Sequence, residues 1–125
     1  MIRDVLARFL YVSLGGALGS AGRYATALAA VAWLGPGFPY GTMIVNLIGS
    51  FCIGAVMELV PMSDLRLFLV TGVLGGFTTY SSFNEETLRM LRDGAFGGAA
   101  INVAATVAGC MAAGTAGFLI ARMFR

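Results

Sequence analysis

The chain has no lysine and no histidine, and its eight cations are all arginine. Without histidine it lacks the commonest general base and metal ligand. Charged residues of both signs make up only 11% of the chain, whereas soluble domains carry roughly a quarter. A formal net charge of +2, dispersed along the sequence, is too weak to suggest nucleic-acid binding. There is no Ser/His/Asp set, no Gly-x-x-x-x-Gly-Lys phosphate loop and no metal-ligating cluster, so an enzyme is not expected. Cys52 and Cys110 lie deep in apolar runs without metal-ligand spacing, and read as buried free thiols rather than a disulfide.

What the chain does have is hydrophobicity. Apolar residues reach 58%, and the mean hydropathy is +0.86. A chain of 125 residues reads as one domain, and one this small needs charge to cover its large surface in water. Its solvent is therefore lipid. Four stretches approach the roughly 20 apolar residues that a membrane helix needs, at about 5–34, 40–60, 65–91 and 95–124. Arg3 and Arg8 followed by the run 9–18 resemble a signal peptide, but the apolar run continues to Leu34, which favours a retained first span.

The connections are short. Gly35-Pro36-Gly37-Phe38-Pro39 is a turn by composition, Pro61 ends the second span, and Asp64 is the expected N-cap of the third. Arg92-Asp93-Gly94 separates the last two, so residues 1–125 form a single membrane-spanning domain. Gly15/Gly19, Gly72/Gly76 and Ser50/Gly54 are small-xxx-small pairs that let helix backbones approach, within one subunit or between two. Four short helices enclose little space, so a pore is expected to need a second copy. An even number of spans puts both termini on the side of the Asp64 loop. That side holds Arg3, Arg8, Arg66, Arg122 and Arg125 against Arg89 and Arg92 opposite, a modest preference for cytoplasmic termini that leaves mixed insertion open.

The informative stretch is Gly72-Val-Leu-Gly75-Gly76-Phe77-Thr78-Thr79-Tyr80-Ser81-Ser82-Phe83, followed by Asn84-Glu85-Glu86. Adjacent glycines weaken a helix, and hydroxyl side chains take up backbone groups that a break sets free. Such a break is tolerated in a bilayer only where protein or an aqueous cavity surrounds it. Freed carbonyls make cation ligands, and freed N–H groups and hydroxyls make anion ligands. The competing reading is a continuous, closely packed helix whose hydroxyls bond back to the preceding turn.

Arg23 stands inside the long first span with no acid beside it. A cation at the bilayer centre costs at least about 2.5–3.5 kcal/mol, so it reads either as functional or as a side chain reaching the interface from an off-centre position. In a vestibule its field would draw anions inward. Asn46, in the second span, bridges helices or turns its amide donors to a permeating anion. Asn102 and Thr106 share a face of the fourth span and, with Ser82, form one candidate polar stripe. Glu86 is expected to pair with Arg89 or with a cation.

Taken together, Gly72-x-x-Gly-Gly-x-Thr-Thr-Tyr-Ser-Ser-Phe, the earlier Gly41-Thr-x-x-Val-Asn-x-x-Gly-Ser-Phe and Gly19-x-x-x-Arg23-Tyr resemble the Fluc (CrcB) family of microbial fluoride channels, in length, span count and motif order. The resemblance implies an all-α integral membrane fold of four helices per subunit with a break in the third, assembled as an antiparallel, dual-topology homodimer. It implies two fluoride pores at the subunit interface. A structural, untransported Na⁺ would be held by the backbone carbonyls of Gly75 and Thr78. Tyr80 and Phe83 fall on the positions whose aromatic edges face fluoride, Tyr80 replacing the usual phenylalanine. Asn46 matches the pore asparagine and Arg23 the vestibule arginine. Ser81, Ser82, Asn102 and Thr106 fall on the polar side of the pore, with Asn102 in place of the usual tyrosine. The implied function is passive fluoride export across the inner (plasma) membrane, which lowers cytoplasmic fluoride. The alternative is a small multidrug-type proton-coupled exporter, which needs an embedded carboxylate in the first span where this chain has Arg23.

Overall fold

The computed structural model describes Met1–Arg125 and is helical throughout. Helix α1 runs Ile2–Leu34, α2 Tyr40–Leu59 and α6 Phe96–Arg122. Each of these three is long and apolar enough to cross a membrane, and the chain is a multi-pass membrane protein. The expected third span is instead assembled from pieces. It begins with α3 (Asp64–Arg66), widens into a π-helical segment (Leu67–Leu74) and closes with α4 (Gly75–Phe77). Thr78 and Thr79 are then extended, at φ/ψ of −85°/155° and −153°/117°, before α5 (Tyr80–Arg92) resumes. The helix therefore breaks two residues after the paired glycines, within the hydroxyl cluster.

The turns follow their composition. Gly35 and Gly94 carry the only positive φ angles, 81° and 77°, which side chains other than glycine rarely adopt. One cap departs from expectation. The hydroxyl of Ser63, not the Asp64 carboxylate, accepts the Arg66 N–H at 3.2 Å and caps α3. Asp64 is thereby free to reach across to α1, where Arg8 Nε donates to it at 3.0 Å.

Two glycine seams hold the bundle. Along the first, α1 meets the opening half of the third span. A methyl built on Gly76 would lie 2.5 Å from the Gly16 carbonyl oxygen, and one on Gly72 3.0 Å from Gly15 Cα. Along the second, α2 meets α6, with Gly54 against the Gly114 carbonyl and Gly117 against that of Phe51. Both sets of small-xxx-small residues thus pack within a single chain, where backbone contact replaces side-chain interdigitation.

Only 15 of 125 residues are buried, and side chains as large as Phe9 and Trp33 stand open, at 68% and 86% exposure. In water that surface would drive aggregation; in a bilayer it is the lipid-facing side. Ion pairs mark one end of the bundle: Arg8 with Asp64, and Arg125 with Glu58 at 3.0 Å, bring both termini to the Asp64 loop. The opposite end gathers the Gly35–Tyr40 turn with Arg89, Asp93 and Ala95 around one open depression.

Candidate functional site

Breaking a helix orphans backbone groups, and in lipid each needs a partner. Side chains from three elements supply them. Asn46 of α2 clamps Thr79 on both sides: its Oδ1 accepts the Thr79 N–H at 2.8 Å, and its Nδ2 donates to the Thr79 carbonyl at 3.0 Å. This pairing fixes which way the amide faces. Arg23 of α1, half-buried, donates from Nε to the Gly76 carbonyl at 3.1 Å, placing a cation at the carboxyl end of the first half-helix. Thr78 Oγ1 donates back to Leu74 at 2.9 Å. Thr79 caps α5, its Oγ1 accepting the Ser82 N–H at 3.2 Å while lying 3.2 Å from both the Ser81 and Ser82 hydroxyls.

Beside the break lies an open cleft of about 450 Å³, whose wall includes Asn46, Gly75, Thr78, Tyr80, Phe83 and Thr106. Asn46 has two amide hydrogens and spends one on Thr79, so one remains. The rings of Tyr80 and Phe83 sit 5.5 Å apart, tilted by 59°, an arrangement that presents ring edges as well as faces. Their surroundings differ sharply: Phe83 is 6% exposed and Tyr80 77%. Gly49 also borders the cleft, and a Cβ there would strike the Thr78 methyl.

The break leaves two carbonyls short of donors. The helical donor to Gly75 would be the Thr79 N–H, which Asn46 takes. The helical donor to Thr78 would be the Ser82 N–H, which turns to Thr79 Oγ1. Uncharged carbonyl oxygens without hydrogen-bond partners are the donor chemistry of a hard monovalent cation, so the two residues fit a Na⁺ ligand set.

The structure thus gathers Asn46, Tyr80, Phe83 and Thr106 on one wall, with Arg23 at the neighbouring carbonyl. Ser82 joins the α5 cap, and Ser81 borders a separate depression with Asn84 and Glu85. Asn102 lies behind the wall, 2% exposed, donating from Nδ2 to Thr87 Oγ1 at 2.9 Å and facing the Thr106 hydroxyl at 3.5 Å. Glu86 does not pair with Arg89: the Thr42 hydroxyl donates to its Oε1 at 2.6 Å and Arg89 turns to Glu85, while its other carboxylate oxygen is buried with no protein partner.

Two residues with site roles were not singled out from the sequence. Thr79 is both the clamped residue and the cap, a role signalled by its place at the end of the Gly-Gly-Phe-Thr-Thr run. Thr87 anchors the network behind Phe83, and only its four-residue spacing from Phe83 hints at that.

Comparison with known proteins covers the whole of this region. The family model described as CrcB-like protein, Camphor Resistance (CrcB), matches residues 10–118. A protein named fluoride-specific ion channel FluC from Anaeromyxobacter dehalogenans (strain 2CP-1) is 52% identical over 123 residues, covering 94% of this chain and 97% of the relative. Proteins of the same name from Geobacter metallireducens and Sorangium cellulosum are 47% and 43% identical, over 89% and 92% of this chain and 94% of each relative.

Proposed function

The chain belongs to the CrcB family, and from that premise we propose that it is a fluoride-selective channel that passes the ion down its electrochemical gradient. What carries the proposal is the helix break beside an aromatic-lined cleft, together with relatives that bear the name of fluoride channels. The anion would be drawn in by the field of Arg23, meet the spare Asn46 N–H, and pass the edges of Phe83 and Tyr80 opposite the Thr106 hydroxyl. Ser81 and Ser82 would contribute hydroxyls near the cap. These ligands are partial and distributed, so binding is strong enough for entry and weak enough for exit. Aromatic edges are electropositive and hold an anion without the grip of a full charge.

A single bundle encloses no conduit, and the cleft opens on its surface beside the exposed Tyr80 ring. We therefore assign the function to an antiparallel homodimer with two pores, in which a second bundle covers the cleft. The arginines at the two ends, five against two, give only a modest bias toward one orientation, which is compatible with dual insertion. Gly75 and Thr78 carbonyls from both copies would hold Na⁺ on the dimer axis, where it would supply a fixed positive charge tying the two breaks together. In the cell inner (plasma) membrane, such a channel would lower cytoplasmic fluoride.

The test is efflux from liposomes that contain the purified protein and Na⁺, read with a fluoride electrode and repeated with chloride. Voltage-driven loss of fluoride without chloride is the expected result. No fluoride loss from correctly assembled protein would overturn the proposal.

A further inference from the structure

We infer that Thr87 and Asn102 form a positioning pair that anchors Phe83 at the cleft without meeting the permeating ion, an inference that rests on the fluoride-channel reading of that cleft. Both side chains are buried, Thr87 at 9% and Asn102 at 2% exposure, and neither is on the cleft wall that Phe83 and Thr106 share. The Thr87 hydroxyl donates to the Phe83 carbonyl one turn earlier, at 2.7 Å. A hydroxyl has one hydrogen, so Thr87 can meet Asn102 only as an acceptor, which it does at 2.9 Å from Nδ2.

That single commitment orients the whole chain of bonds. With its nitrogen turned to Thr87, the Asn102 amide presents its oxygen to Thr106, whose hydroxyl is 3.5 Å away. The two hydroxyls are therefore unequal. The Thr87 hydrogen is held by a short bond to backbone, while the Thr106 hydrogen sits at the outer limit of hydrogen bonding and can turn toward the cleft. The division of labour follows: Thr106 offers a donor to the ion, and Asn102 with Thr87 fixes the α5 turn that carries the Phe83 ring against α6. Helix α5 is only 13 residues long and starts at the break; the Thr79 cap and the Thr42–Glu86 bond hold its start and its α2 side, and the Asn102–Thr87 bond is the side-chain hydrogen bond that ties it to α6. In lipid neither buried group has water to fall back on, and losing one partner strands the other.

Four variants of the full chain test this in the liposome assay at several fluoride concentrations, with chloride permeability measured alongside: Thr87→Val, Thr87→Ser, Asn102→Leu, and Thr87→Val with Asn102→Leu. Valine keeps the shape of threonine and serine keeps its hydroxyl, but valine strands the Asn102 amide, so the elution profile in detergent is compared for every variant before its flux is read. Thr87→Val and Asn102→Leu are each expected to cut maximal fluoride flux about tenfold, to leave the half-saturating concentration within about twofold, and to raise chloride relative to fluoride. Thr87→Ser should match the unmodified protein, and the double variant should be no slower than the slower single one. Unchanged flux in Thr87→Val would overturn the pairing. So would multiplied losses in the double variant, or a shifted half-saturating concentration in Asn102→Leu alone, which would make Asn102 a direct ligand. If the unmodified protein passes no fluoride, the channel reading fails separately. Non-additive losses of melting temperature across the same variants would then still uphold the pair as the anchor of Phe83, and additive losses would overturn it.

Discussion

The bundle is held together in two different ways. Along its seams, α1 against the third span and α2 against α6, glycines bring backbone onto backbone. At the break, the backbone is held by named side chains matched to its orphaned groups: Asn46 to both the N–H and the carbonyl of Thr79, Arg23 to the Gly76 carbonyl, and Thr79 to the Ser82 N–H. The seams need small volume and tolerate no addition. The break needs donors and acceptors in fixed places, and has room around it. Changes in the seams should therefore destroy the protein, and changes at the break should disable it while leaving it assembled.

The largest effect is expected at a seam. In Gly76→Leu even the first side-chain carbon would meet the Gly16 backbone, at 2.5 Å from its carbonyl oxygen. Overpacking of this kind costs about 1–3 kcal/mol or more, and it cannot be relieved by turning a side chain. Size-exclusion chromatography in detergent should show loss of the monodisperse protein; an unchanged profile would remove the seam from the comparison.

Asn46→Asp comes next and tests the other half. The carboxylate still accepts the Thr79 N–H but has no hydrogen for the Thr79 carbonyl, and it puts negative charge on the proposed anion path. Fluoride efflux should fall about a hundredfold or more, while the elution profile stays that of the unmodified protein. Phe83→Ile should impair flux less, by about tenfold, since it keeps bulk but loses the electropositive ring edge. Equal flux in both variants and the unmodified protein would mean that the conduit lies elsewhere.

The smallest effect belongs to the bundle end. Asp64→Asn breaks the ion pair with Arg8, whose members are both more than half exposed, and should alter stability by less than about 1 kcal/mol with no change in flux. A larger loss, measured by thermal unfolding in detergent, would show that the bundle ends contribute more than the seams alone predict.

Much of the fold was legible in the residues. The three uninterrupted spans begin and end within three residues of the expected bounds, because apolar runs and Gly/Pro turns leave few other places for a membrane helix to stop. The break was legible as a composition, paired glycines followed by hydroxyls over residues 75–79, but that Thr78 and Thr79 are the two residues that turn extended was not. Nor was the π-helical segment before it, which depends on how the third span seats against α1. Among the site residues, Asn46 and Arg23 stood out because polar side chains are conspicuous in a greasy span. Their partners did not, since the groups they bond are backbone carbonyls and N–H groups that every residue has.

By itself the sequence placed this chain with the CrcB proteins, through three motifs in order. It also determined that the chain lives in lipid, crosses it with helices and weakens one of them at paired glycines and a hydroxyl cluster, with a break and a continuous helix both still open there. Those properties follow from hydropathy, length and local propensity, which act over one segment at a time. Only the tertiary structure decided that Asn46 clamps Thr79, that Arg23 caps the first half-helix, and that Asn102 stands behind Phe83 while Thr106 stands beside it. A hydrogen bond between residues 33 or 53 positions apart is set by which helix faces meet, and that depends on where the glycines let the backbones close.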